Sequence, residues 1–304
     1  MIDRHSIRFR VAVLVSVAVI FSLGGFALFL GSEIRGINER EETTKLQSTN
    51  QLVLNMIAQT DSILRRQAES WAHSFTTALA GNYTLENSGG PVLKRDGVVL
   101  NGSSREVDAF SNSGQGNVAT LFARDGDDFV RVATSLKKQD GNRAVGTMLG
   151  KAHPAYTNLI AGKPFVGKAT LFGRHYMTSY DPIRDASGRV IGIHFVGIDI
   201  MNSLDSVKQT IKQVKLGATG YVYVLDASAG ANAGTLLIHP SQEGKNIIEA
   251  TDGDGTLFIR KMLEQRNGTI LYPWKNAGES RARDKIVVFN EYPDWQWIIA
   301  SGSY

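Results

Sequence analysis

The chain has 304 residues, with 33 basic and 29 acidic side chains and a formal charge of +4. That balance is too slight and too evenly spread to point to a nucleic-acid partner, and no basic block of the kind such partners need is present. The absence of cysteine excludes a disulfide framework and any thiolate metal site, and the length suits two ordinary domains after an N-terminal segment.

Residues 11–31, VAVLVSVAVIFSLGGFALFLG, form one uncharged apolar run. A helix crossing the roughly 30 Å hydrocarbon core needs about 20 such residues. A secretory signal has a shorter apolar stretch, about 7–15 residues, followed by a small-residue cleavage site. No convincing site of that kind precedes Ser32, so the run reads as an uncleaved transmembrane helix. Arg4, Arg8 and Arg10 precede it with only Asp3 opposing them, while Glu33, Glu39, Glu41 and Glu42 follow it. Positive-inside bias then leaves residues 1–10 in the cytoplasm and 32–304 outside, in a single-pass arrangement.

Residues 32–80 read as a stalk helix, because 34–80 contain no proline and only one early glycine, Gly36. From Val53 onward its apolar residues recur at near-heptad spacing: Val53, Ile57, Leu64, Ala68, Trp71, Phe75 and Ala78. Such a stripe must be buried, either in its own domain or against a partner copy. Polar Thr60 and Gln67 at seam positions argue against a strict long coiled coil. The expectation is a helix of about 40 residues serving both its own domain and a homodimer.

Beyond Gly81 the pattern changes to short alternating strands with turn signals such as Asp96-Gly97, Asn101-Gly102, Asp125-Gly126, Asp140-Gly141 and Ser187-Gly188. Residues 201–216 return to helical spacing through Leu204, Val207, Ile211 and Val214, with Gly217 placed as a C-terminal cap. Strand pattern then resumes to the end. The two strand-rich parts read as one plan used twice. A hairpin at 121–136 precedes the strands GKATLF, HYMTSYDPI and RVIGIHFVGIDI, and a looser hairpin at 220–240 precedes GTILYPW, DKIVVFNEY and WQWIIASGSY. The fold class is therefore α+β, with two modules of about five antiparallel strands and flanking helices.

The run ATLFGRHYMTSYDPIRDASGRVIGIHFVGIDI resembles the last strands of a Cache-3-like sensor module. GYVYVLD, LIHP, GKN, YPW and WIIASGSY resemble a Cache-2-like module. Together they resemble the extracytoplasmic part of the Cache 3/Cache 2 fusion receptors, mostly bacterial methyl-accepting chemotaxis proteins. The resemblance implies two tandem PAS-like modules: a membrane-distal one at 81–200, a connecting helix at 201–217 and a membrane-proximal one at 218–304. It also implies a small-molecule ligand and the bacterial inner membrane. No second apolar span, HAMP segment, kinase motif or cyclase motif lies within these residues, so the sequence reads as a sensor portion whose output module is absent from this chain. The downstream effector could be chemotactic, a histidine kinase or a cyclase; a non-binding homologue that only dimerises with a receptor is the alternative.

A PAS-like pocket that holds an anion needs cationic and hydroxyl donors pointing inward from alternate strand positions. In the first module Arg174, Tyr176, Thr178 and Tyr180 share one strand face by period two. Arg131 and Thr134 come from the preceding hairpin, and Lys138 and Arg143 from the loop after it. Arginine's planar fork is suited to a carboxylate, although for Arg174 and the loop lysines a solvated surface charge is the weightier reading. In the second module the candidates by motif position are His239, Tyr272, Trp274 and Lys285, with Trp297 assigned to the core.

Other motifs carry nothing. GQGNVA at 114–119 is followed by strand rather than helix, and Asp252 and Asp254 lack the other ligands of a calcium loop. The six histidines show no metal-ligand spacing, and no nucleophile elbow is present, so neither a cofactor nor an enzymatic activity is expected.

Overall fold

The computed structural model describes residues 7–87, 89–114, 116–275 and 279–304. Helix α1, Ile7–Ala78, is a single uninterrupted element of 72 residues, one long N-terminal helix that takes in both the apolar run and the stalk read from sequence. The reason is that no proline breaks the i→i−4 ladder, and a helical glycine costs only about 1 kcal/mol. The apolar run 11–31 lies largely outside the residues whose side chains are described. Among the described residues no helix is long and apolar enough to cross a membrane. Phe21, Leu23 and Phe26, which belong to that run, are exposed.

Two compact units divide the chain. The central unit holds residues 53–213 and 292–297, and the C-terminal unit holds residues 1–52, 214–291 and 298–304.

In the central unit, β1 (Tyr83–Asn87), β2 (Pro91–Arg95) and β3 (Val98–Val99) make a small antiparallel sheet, and α2 (Arg105–Asn112) follows. A five-stranded sheet then forms from β4 (Val118–Asp125), β5 (Asp128–Thr134), β6 (Phe165–Leu171), β7 (Arg174–Arg184) and β8 (Val190–Asp199), with α3 (Tyr156–Ile160) between β5 and β6. Its order is β5-β4-β8-β7-β6, antiparallel throughout. Strand β4 alternates as a two-faced strand must. Ala119, Leu121 and Ala123 join Phe75, Leu79 and Leu93 in one core cluster, while Val118 and Phe122 join Tyr180 and Phe195 in another. Buried His194 on β8 meets the Tyr83 hydroxyl at 2.9 Å, and burial lowers its pKa to about 4, so the ring is neutral.

The stripe on α1 is buried at Val53, Ile57, Leu64, Ala68 and Phe75, whereas Ala78 is exposed. Between them the helix buries a carboxylate. Asp61 accepts from Trp295 Nε1 at 2.7 Å, Arg65 Nε at 2.6 Å and the Tyr292 hydroxyl at 3.2 Å. Arg65 also donates to the Val166 carbonyl at 2.7 Å and to Asp294 at 2.9 Å.

Helix α4, Met201–Gln213, closes the central unit and buries Leu204, Val207 and Ile211. It ends earlier than the sequence indicated. Gly217 has φ +58, a conformation that turns the chain back on itself, so Lys215–Leu216 becomes β9 and pairs with β10 instead of extending the helix.

The C-terminal unit contains β10 (Gly220–Asp226), β11 (Leu236–Ile238), α5 (Phe258–Gln265), β12 (Gly268–Trp274), β13 (Arg283–Tyr292) and β14 (Trp297–Ser303). Their order, β11-β10-β14-β13-β12, repeats the connectivity of the central sheet. The Asp252 side chain accepts from the amides of Asp254 and Thr256 in a turn just before α5. Asn50 of α1 is fully buried in this unit, donating to Asn290 Oδ1 at 2.8 Å and the Ile299 carbonyl at 3.2 Å, and accepting from the Ser301 hydroxyl at 2.9 Å.

Asp61→Ala leaves a buried indole N–H and the Arg65 Nε–H without their acceptor, and is expected to cost about 2–4 kcal/mol. Thermal melting checks this; an unchanged transition would show that the cluster contributes no net stability.

Candidate functional site

A small cavity of about 30 Å³ opens in the C-terminal unit. Tyr221 and Tyr223 enter it from β10, two residues apart and so on one face of the strand. Tyr272 and Trp274 do the same from β12, and Lys285 on β13 lies in register opposite Tyr272. Leu236 and His239 come from β11 and the residue after it, Gln242 and Ile247 from the following loop, and Phe258 from the start of α5. Phe258 stacks on Tyr272 with centroids 4.3 Å apart, and Trp274 meets Phe258 edge-on at 5.4 Å.

Lys285 is 1% exposed. Its ammonium donates to the Tyr221 hydroxyl at 2.7 Å and lies 4.1 Å from that ring's centroid. Among the described residues no carboxylate stands at ion-pair distance from it, and none lines the cavity. Glycine at 302 is what gives the lysine room: a Cβ there would sit 2.7 Å from Lys285 Cε.

His239 Nδ1 accepts from the amides of Ser241 and Gln242, both at 3.0 Å. The neutral ring therefore carries its proton on Nε2. Burial, with Lys285 adding repulsion, lowers the His239 pKa to about 4. Burial pushes the Tyr221, Tyr223 and Tyr272 phenols upward, so all three remain protonated. The polar lining is thus a set of donors around one amine.

All four candidates named from the second module, His239, Tyr272, Trp274 and Lys285, meet at this cavity. Those from the first module are scattered and each is engaged within the central unit. Arg174 is ion-paired with Asp199 and its side chain is 60% exposed. Arg143 makes a two-pronged bond to Asp108 at 2.7 and 2.8 Å and donates to the Thr134 carbonyl, and Lys138 pairs with Asp140. Thr134 and Thr178 are buried, bonded to Thr120 and to the Gly167 carbonyl. Tyr176 and Tyr180 belong to the core, the latter with its hydroxyl 3.1 Å from His153 Nε2. Arg131 is buried over the Phe122 ring and donates to Thr147 at 2.8 Å. Trp297 is buried.

Sequence reading missed Tyr221 and Tyr223, although their period-two spacing in GYVYV puts them on one face and could have exposed them. Gln242 and Ile247 carry no such signal, since a loop brings them in.

The Cache 3/Cache 2 fusion domain matches residues 32–304. The chain belongs to the Cache 3/Cache 2 fusion family. Its expected family and its α+β double-Cache fold are thereby borne out. Similar solved structures include a Cache chemosensory domain described for carboxylic acid recognition, at 23% identity over 34% of this chain and 71% of that one, with a TM-score of 0.30. The sensory domain of the Campylobacter jejuni chemoreceptor Tlp3 is similar at 13% identity over 86% of this chain and 96% of that one, TM-score 0.44. The ligand-binding domain of the Pseudomonas aeruginosa PAO1 amino acid chemoreceptor PctC in complex with GABA is similar at 15% identity over 86% and 99%, TM-score 0.45. No curated protein matches the chain.

In this Cache chain the buried amine leaves a signature in stability. Desolvation lowers the Lys285 pKa from 10.5 to about 7. Between those values the unfolded chain binds more protons than the folded one, so stability rises with pH across that window, by on the order of 5 kcal/mol when complete. Below pH 7 the penalty is present in full. Lys285→Met is expected to melt higher than the parent at neutral pH, and the difference is expected to shrink toward pH 10 in paired thermal melts. A constant difference would mean that the amine is not held in a depressed state.

Proposed function

We propose that this chain is the extracytoplasmic ligand-sensing portion of a single-pass membrane receptor, and that it binds a small carboxylate in the C-terminal cavity. The observation that carries the reading is Lys285, a buried cation with a tyrosine hydroxyl but no carboxylate beside it. An isolated charge is costly to bury, and a bound anion removes that cost. Lys285, the Tyr221 hydroxyl and His239 Nε2–H offer donors, and the aromatic walls accept a short apolar tail. A ligand ammonium would find no carboxylate among the lining residues, so a plain acid is favoured over an amino acid.

Membrane attachment through residues 11–31, with 32–304 periplasmic, is supported by the uncharged apolar run and by the exposure of Phe21, Leu23 and Phe26. A homodimer through α1 is the assembly that this helix favours. Ligand binding transmits a signal only through different affinities for two arrangements of the receptor. The output is chemotactic or that of another signal-transduction receptor, and the role involves no catalysis.

Calorimetric titration with acetate and propionate tests the site. Because the protonated amine is the anion's partner, affinity is expected to fall about tenfold per pH unit above pH 7 until the bound-state pKa is reached. Lys285→Met is expected to weaken binding by about 30-fold or more, corresponding to about 2 kcal/mol or more. Failure of every short carboxylate to bind, or binding indifferent to Lys285, would overturn this reading.

A further inference from the structure

A protonated lysine answers a carboxylate, yet the same side chain in its free-base form is a nucleophile. Lys285 is placed for that second role: it is enclosed in an aromatic cavity, among the described residues its hydrogen-bond partner is the Tyr221 hydroxyl at 2.7 Å, and the charge of Glu279 reaches it only from beyond ion-pair distance. We propose that the cavity captures the carbonyl group of a small 2-oxo acid through a reversible Schiff base on Lys285. This rests on the carboxylate-pocket reading and narrows its ligand class.

The step balances within the cavity. The Lys285 Nζ lone pair attacks the carbonyl carbon, and the C=O π electrons move to oxygen. The Tyr221 hydroxyl gives its proton to that oxygen and recovers one from the nitrogen, which yields a carbinolamine. A second proton passes from nitrogen to the same oxygen, the C–O bond breaks, and one water leaves as the C=N bond forms. Amine and carbonyl enter, imine and water result, and no oxidant or reductant is consumed.

Burial lowers the Lys285 pKa to about 7, so about half of the side chain is free amine at neutral pH. An ordinary lysine offers only about one part in 10³. The ligand carboxylate then has His239 Nε2–H as a donor, since Nδ1 of that ring is already held by two amides. Glycine at 302 keeps the lysine stem uncrowded.

The full chain is incubated at neutral pH with pyruvate and sodium cyanoborohydride, digested, and mapped by mass spectrometry, with propionate as a matched acid that lacks the carbonyl. The reduced adduct is expected on Lys285 at ~100-fold or more above the mean of the other lysines. Excess propionate is expected to suppress it, and Lys285→Met to lack it while still melting cooperatively. Should Lys285→Met fail to fold, Tyr221→Phe serves in its place. It removes the proton carrier and is expected to slow labelling about 10²-fold, and an unchanged rate would overturn the assigned step. Labelling spread evenly over the lysines, with calorimetric propionate binding intact, would overturn the covalent capture and leave the carboxylate pocket standing. Loss of labelling together with absent propionate binding would overturn both.

Discussion

The C-terminal unit is organised around an amine that it removes from water and leaves, among the described residues, without a carboxylate at ion-pair distance. Burying a lone cation opposes folding unless the group sheds its proton or gains a partner. In this unit the compensation is partial: one tyrosine hydroxyl, the faces of neighbouring rings and a shifted proton affinity. Well-packed apolar groups would fill the same volume at less cost. Retaining the lysine is therefore a stability sacrifice, and a binding site is the setting in which such a sacrifice has a use.

The two sheets share one connectivity and differ in what covers the corresponding face. In the central unit Phe122, Phe129, Tyr180 and Phe195 pack together as core. The buried cation there, Arg131, lies over Phe122 and reaches Thr147. In the C-terminal unit, Tyr221, Tyr223, Tyr272 and Trp274 stand around a small cavity, with the Tyr221 hydroxyl bonded to Lys285 and the Tyr223 hydroxyl to Met262 Sδ. A duplicated topology thus carries two different interiors, since strand order is set by backbone pairing and pocket volume by side-chain size.

Helix α1 serves the two units through different polar devices. Its earlier part contributes Asn50, which satisfies a strand carbonyl and two side chains in the C-terminal unit. Its later part contributes Asp61, which gathers an indole, a phenol and an arginine in the central unit. Both side chains are buried and fully engaged, and such groups fix register, because sliding the helix by one residue would leave several donors unsatisfied at once.

The order of elements, the α+β class, the duplicated plan and the helical stripe were legible in the residues. Period 2 and period 3.6 are local signals, and glycine and proline punctuate them without reference to the rest of the fold. The four second-module candidates were named by motif position, and of them only Tyr272 and Trp274 share a strand face by period two. What only tertiary structure decided was the company each side chain keeps. Arg174 and Arg143 looked like anion clamps until Asp199 and Asp108, distant in sequence, were seen to occupy them. Lys285 was a candidate by its motif position, but its burial beside Gly302 and Tyr221 became visible only in the fold. Charge and periodicity are properties of the chain, whereas desolvation and partnership depend on what folds against it.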